Sequence, residues 1–262
     1  INSLYIMNKK FFFLTGLPRT GNTLLSSILN QNKDIITTNY SILAPLLHSI
    51  DKQREEITYK NFPLDESLDN VLKNTFNNFY ENFDCKFIID RGPWGTTPHL
   101  NLLKKVFDDI RIIVLRRPFL EVLASYVRVY KPKDIEKSVD EWFFDEHNII
   151  KMNAYIYNNM REEKNIKFHI VEYDNLVKDT KNEISDIYNF LDIPKFEHHY
   201  SNLNKFSINN QKYNDTVYGE NINYHTIRTD KIERENYHYK DVLSQVIIDK
   251  YKHIDKELYD IK

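Results

Sequence analysis

The stretch "FFFLTGLPRTGNTLL", residues 11–25, decides the fold. Gly16 and Gly21 stand five apart and Thr23 follows two later, as a phosphate-binding loop requires. The apolar run from Phe11 to Leu17 reads as a buried parallel strand. After the loop, Leu24, Leu25, Ile28 and Leu29 recur at helical spacing, so a helix is expected over 22–32. Strand, glycine loop and helix turn successive backbone N–H groups toward one point, where the helix dipole adds roughly half a positive charge. In a nucleoside triphosphatase, a lysine before the Ser/Thr neutralises the phosphate oxygens. Here that place holds Asn22, and a cation stands earlier, at Arg19. The loop is therefore either a triphosphate loop without its lysine or a complete loop for a different anion.

The rest of the chain bounds the answer. With 262 residues, 41% of them hydrophobic and 28% charged, it fits one sizeable globular domain. A net charge of −2 argues against bulk nucleic-acid binding, and no run approaches the ~20 apolar residues of a membrane span. Cys85, the single cysteine, allows no intramolecular disulfide, reads as a small core hydrophobe, and suits a reducing cytoplasm. "MNKKFFFL" from Met7 looks like a natural start, so the domain is expected over 7–262. Residues 1–6 are expected to be a disordered or non-native leader. The N-terminal apolar run leads into glycine and not into a small-residue cleavage site, so it reads as a strand and not a signal peptide.

Beyond the first helix, strands alternate with helices. Helices are expected over 41–56, 66–82, 98–107, 118–130, 136–163, 178–191 and 240–258. "KFIID" (86–90), "RIIVL" (111–115) and "FHIVEY" (168–173) read as three further strands, and 195–239 as largely loop. This alternation predicts a single-domain α/β fold, a P-loop-type parallel sheet flanked by helices on both faces. Ligands then sit beyond the strand carboxyl ends. Those ends are Gly16 to Thr23, Asp90 to Gly95, Arg116 to Arg117 and Glu172 to Asp174, all polar or glycine-rich.

Three segments carry a resemblance. "GLPRTGNTLL" resembles the 5′-phosphosulfate loop of sulfotransferases that use 3′-phosphoadenosine 5′-phosphosulfate (PAPS). "RIIVLRRPFLEVLASYVR" (111–128) resembles that family's strand, Arg, and Ser eight residues on, here Arg117 and Ser125. "FHIVEYDNLVKDTKNEISDIYNFLDIP" (168–194) resembles the strand and helix that follow, with Tyr173 at the adenine-contacting tyrosine. The resemblance implies that Pro18, Arg19, Thr20, Gly21, Asn22, Thr23 and Leu24 hold the 5′-phosphosulfate. It implies that Arg117 and Ser125 grip the 3′-phosphate, with Arg116 the alternative fork and Arg228 a second contact. Arg19 would stabilise charge on the leaving oxygen, and the product would be adenosine 3′,5′-bisphosphate (PAP). The sulfuryl group carries less charge than a terminal phosphoryl group, so no metal is expected.

The general base stays open. The family places a His in a Lys-Thr-His motif, or a Glu shortly after the first helix. This chain has Asp90, Arg91 and Gly92 at the first place, and Asn39 and Tyr40 at the second. Asp90, His99 and His48 are the candidates, in that order, since each must come within hydrogen-bond reach of the acceptor. The acceptor is expected to be a small molecule, carbohydrate or peptide bearing a hydroxyl or amine, and the oligomeric state is open. A P-loop small-molecule or nucleotide kinase, and a non-catalytic nucleotide-binding protein on the same fold, are the competing readings.

Overall fold

Six of the seven residues of β1 (Lys10–Gly16) are buried, because β1 is the central strand of a sheet covered on both faces. The computed structural model describes residues 9–144, 149–204, 207–208, 211–219, 222, 224–225, 227, 230–234 and 237–259. The sheet has five strands in the order β2-β3-β1-β4-β5, every neighbouring pair parallel. The others are β2 (Ile35–Thr37), β3 (Phe87–Arg91), β4 (Arg111–Arg116) and β5 (Lys167–Glu172). The α/β parallel architecture expected from the alternation is the one observed. Four of its strands coincide with the expected runs, and β2 is an addition. Its three residues, "IIT", are too short to show a period against the polar residues around them.

Alternation along the strands divides the core. Phe11, Phe13, Ile88, Ile112 and Val114 face one layer, and Phe12, Leu14, Ile89, Ile113 and Leu115 the other. The second layer is closed by α1 (Asn22–Leu29), α9 (Tyr173–Lys178) and α10 (Thr180–Leu191). The first is built from α2 (Leu43–Asp51), α4 (Asp65–Phe79), α5 (Thr97–Val106), α6 (Phe119–Tyr130), α7 (Ile135–Phe144), α8 (Ile149–Glu162), α11 (Gln245–Tyr251) and α12 (Ile254–Tyr259). The short α3 (Ile57–Asn61) buries none of its residues. The expected helix over 136–163 is represented by α7 and α8, and the expected 240–258 helix by α11 and α12 after a short 3₁₀ turn. Ser244 begins α11 by accepting from the Ile247 N–H, an N-cap that polar periodicity alone had run through. Tyr173 opens α9 and does not close β5 as the "FHIVEY" run suggested.

From β1 the chain passes to β2 at one edge, and from β3 it crosses β1 to β4 on the other side. The order reverses around β1, which opens a crevice at its carboxyl end. Two close approaches fix that end. Gly16 (φ 134°) lies against β4, where a Cβ would come within 2.4 Å of the Leu115 carbonyl oxygen. Gly21 (φ 98°) lies against Tyr173, where a Cβ would meet Cδ2 at 2.9 Å. Both positions need glycine for its backbone freedom and for its missing side chain.

Gly16→Ala is expected to lower unfolding stability by about 2–4 kcal/mol, combining left-side backbone strain with a clash against sheet backbone. Urea melts of the two proteins check this; a loss under about 0.5 kcal/mol would show that β1 and β4 can separate freely.

Candidate active site

The loop between β1 and α1 is stapled from inside. Thr20 is fully buried and its hydroxyl donates to the Leu17 carbonyl at 2.7 Å. The Asn22 amide donates to the same carbonyl at 3.2 Å and to Thr20 Oγ1 at 3.1 Å. Asn22 is thus turned into the loop, where a lysine would have carried charge outward. Gly21 caps α1 without any side-chain hydrogen bond, and the first turn holds no acidic residue. The first amides of α1 consequently face outward with the positive end of the dipole and no capping group.

These amides floor a cleft enclosing about 840 Å³. Pro18, Arg19, Gly21, Asn22, Thr23 and Leu24 of the loop line it, with Arg117 and Tyr173 from the ends of β4 and β5. Arg19 sits in the left-handed region (φ 66°). Its Nε donates to Ser125 Oγ at 3.1 Å and its Nη1 to the Tyr224 carbonyl at 2.6 Å. Arg117, 4% exposed, lies over the Tyr173 ring at 4.3 Å and donates to the Arg19 carbonyl at 3.1 Å. It also pairs with Glu121 on α6, whose other oxygen takes Arg234. Arg116 instead pairs with Glu172 on β5, and of the two arginines only Arg117 lines the cleft. Ser125 is 2% exposed and its hydroxyl meets Arg19. Arg228 lies outside the described residues.

The candidate bases fall elsewhere. Asp90 is fully buried and accepts from Ser41 at 2.6 Å, from Trp94 Nε1 at 2.8 Å and from the Tyr80 hydroxyl. Burial raises its pKa to about 6, against the opposing pull of those three donors. His99, on α5, holds Nδ1 2.7 Å from Thr96 Oγ1, and burial lowers its pKa to about 4. His48 packs beside it, ring centroids 5.5 Å apart. None of the three lines the cleft.

Other residues line it that the motifs did not single out. Arg91, from the end of β3, has a buried Nε without a partner and lies 5.3 Å from the Tyr40 ring centroid. Asn39 donates to Thr23 Oγ1 at 2.7 Å. Tyr224, His225, Ile227, Lys231, Ile232 and Glu233 close the outer side. Arg91 was visible as an arginine at a strand end and Asn39 as a polar residue after the first helix; those from Tyr224 to Glu233 come from a segment without periodicity. His225 Nδ1 lies 2.5 Å from Asp215 Oδ1, and the His225 amide donates to Oδ2 at 2.8 Å. Its ring stacks on Tyr213 at 4.1 Å and 18°. Burial, then Arg91 and Arg19, hold the imidazole below its usual pKa against the upward pull of Asp215.

Tyr213 also borders a second hollow of about 870 Å³, lined by Tyr40, Ile42, Phe79, Tyr80 and Phe83 with Thr38 and Ser41. The Tyr213 hydroxyl accepts from the Tyr40 amide at 2.8 Å, and through its stacking on His225 the wall of this hollow touches a residue of the cleft.

Comparison with known proteins places the architecture. A family model described as "Sulfotransferase family" matches residues 12–198. The sulfotransferase domain of the Synechococcus PCC 7002 olefin synthase is similar in structure over 97% of each chain, at 16% identity and TM-score 0.57. A mouse sulfotransferase, SULT7A1, solved in complex with PAP, is similar over 97% of this chain and 85% of its own. Its identity is 12% and its TM-score 0.54. No match was found among curated protein sequences.

The raised pKa of Asp90 sets a pH dependence. The folded state holds this proton up to about pH 6, whereas an unfolded carboxyl releases it near 3.8. Folding stability is therefore expected to fall by about 2 kcal/mol as pH rises from 4 to 6. Asp90→Asn should flatten that part of the curve in urea melts taken across pH; an unchanged slope would refute the assignment.

Proposed function

The chain belongs to the sulfotransferase family, and from that premise we propose that it transfers the sulfuryl group of PAPS to a hydroxyl or amine acceptor. The observation that carries the PAPS reading is the uncapped start of α1 with Asn22 folded inward. The loop offers backbone amides and no ammonium, as suits a 5′-phosphosulfate better than a nucleoside triphosphate. The mouse relative's complex with PAP supports the same nucleotide. A kinase is disfavoured by the same inward Asn22, and a purely binding role by the family match.

In this reading the α1 amides and Thr23 hold the 5′-phosphosulfate, and Thr20 and Asn22 keep the loop in shape. Arg117 takes the 3′-phosphate, already oriented by the Arg19 carbonyl, Glu121 and the Tyr173 ring. Tyr173 borders the adenosine, and Ser125 acts through Arg19, whose guanidinium it steadies. Arg19 stabilises negative charge as the leaving oxygen forms. No metal enters the scheme, because the sulfuryl group needs less neutralisation than a terminal phosphoryl group. A cytoplasmic setting belongs to the same reading, since a lone cysteine needs no oxidising compartment. Among the described residues no helix is long and apolar enough to cross a membrane.

PAP without magnesium is expected to raise the melting temperature, and Mg·ATP to raise it far less. Stabilisation by Mg·ATP alone would overturn the reading. Arg117→Ala should weaken PAP by about 10–150-fold, the value of one charged hydrogen bond. Adenosine 5′-phosphate should lose much less in calorimetry, and equal losses would mean that Arg117 serves only the loop. Arg19→Ala should lower kcat by about 10²–10³ while changing the PAP affinity little, and an unchanged rate would remove it from the chemistry.

A further inference from the structure

We propose that His225, oriented by Asp215, is the general base of the transfer, and that the acceptor is a phenol or similar apolar aromatic alcohol seated in the hollow beside it. This inference rests on the PAPS reading above and names the base and acceptor class of that same site.

Geometry singles out His225. It is the one imidazole that lines the anion cleft among the described residues, whereas His99 and His48 pack behind the sheet edge and Asp90 is saturated by three donors. Asp215 takes both the His225 amide and Nδ1, so the proton of the neutral ring sits on Nδ1 and Nε2 is left as the acceptor. The charged and titratable groups described around the ring are Asp215, Arg91, Arg19, Tyr213, Tyr218 and Tyr224. The two arginines and burial favour the neutral ring, and Asp215 stabilises the cation that forms when it accepts a proton.

The second space fixes the acceptor. His225 lines the cleft and stacks on Tyr213, which borders the hollow, so the imidazole stands one aromatic ring away from that second space. The hollow's wall is mostly aromatic and aliphatic, with Lys212 its one charged group and no carboxylate among its described residues. A ring fills such a wall by apolar burial and stacking, whereas a sugar would leave most of its hydroxyls unmatched. In the reaction, Nε2 of His225 takes the acceptor's hydroxyl proton as that oxygen bonds to sulfur. The bond from sulfur to the bridging 5′-phosphate oxygen breaks, and its electron pair stays on the phosphate of the released PAP. The imidazolium then gives its proton to water.

The test uses the full chain with PAPS and 2-naphthol as probe, following PAP formation, with PAP affinity measured alongside. His225→Ala is expected to lower kcat by about 100-fold or more with PAP affinity within about 3-fold. Added imidazole should restore part of the loss. Asp215→Asn should lower kcat by about 10-fold and shift the acid limb of the rate profile to lower pH, since it removes the group that pulls the imidazole pKa upward. Asp215 is a positioning residue, and a lower rate with an unmoved acid limb would reduce it to a structural role. Wild-type kcat in His225→Ala, or a loss that imidazole does not rescue, overturns the base. PAP binding by the wild type without turnover of 2-naphthol or other phenols, or with turnover of a carbohydrate only, overturns the acceptor class. Failure to bind PAP at all is a different result and sinks the PAPS reading beneath.

Discussion

The backbone of Gly16 lies so close to the Leu115 carbonyl that no side chain fits between β1 and β4. That contact sets the height at which the two strands end, and the site depends on it. Register pairs Gly16 with Leu115, so the β1 loop and the Arg116-Arg117 pair leave the sheet side by side. Arg117 can then reach the Arg19 carbonyl across the gap, and Tyr173, opening α9 beyond β5, comes to lie under both Arg117 and Gly21. A larger residue at 16 would push β4 outward and separate the loop from both partners.

Loop shape and ligand charge are handled by different residues. Thr20 and Asn22 spend their hydrogen-bonding capacity on Leu17, which holds the turn without putting charge into it. Arg19 is then free to leave the loop, reaching Ser125 and Tyr224 from a left-handed backbone that few bulky residues adopt. A lysine at 22 would bring loop and charge into one residue, as a triphosphate demands. Separating them puts the cation at Arg19 instead of at position 22, and in the proposed reading Arg19 serves the oxygen on which a sulfuryl transfer develops its charge.

The sequence made the sheet and the anion side legible because both rest on local patterns. Buried strands are continuous apolar runs, and the loop, Arg117 and Tyr173 stand directly at strand ends. Ser125 was legible as a spacing, yet its partner was not, since the hydroxyl meets Arg19 across 106 positions and no periodicity reports that. Asp90 was legible as a carboxylate at a strand end, but Ser41, Tyr80 and Trp94, which close over it from three separate segments, were not. β2 was too short to carry a period. Asp215 and His225 were hidden for a further reason. They belong to a segment whose core-packing residues, Leu203, Tyr224, Ile227 and Ile232 among them, recur at irregular spacing, so amphipathic periodicity never marks it.

Charge follows the same division between local and global. A chain with net charge −2 gives no sign of an anion site, yet Arg19, Arg91 and Arg117 converge on one cleft. Their surroundings explain how the field survives. Arg19 is held by a hydroxyl, a carbonyl and a tyrosine ring. Arg91 faces the ring of Tyr40, and Arg117 shares Glu121 with Arg234. Far from the cleft, Arg54 meets Asp51, Asp65 and Asp69 together and is neutralised where it stands. Guanidinium groups oriented mainly by neutral partners keep their positive potential available to a bound anion, and in a partly buried cleft that potential is screened much less than at the surface. The partners each arginine keeps, and not the number of arginines, separate a binding cleft from a surface ion-pair network.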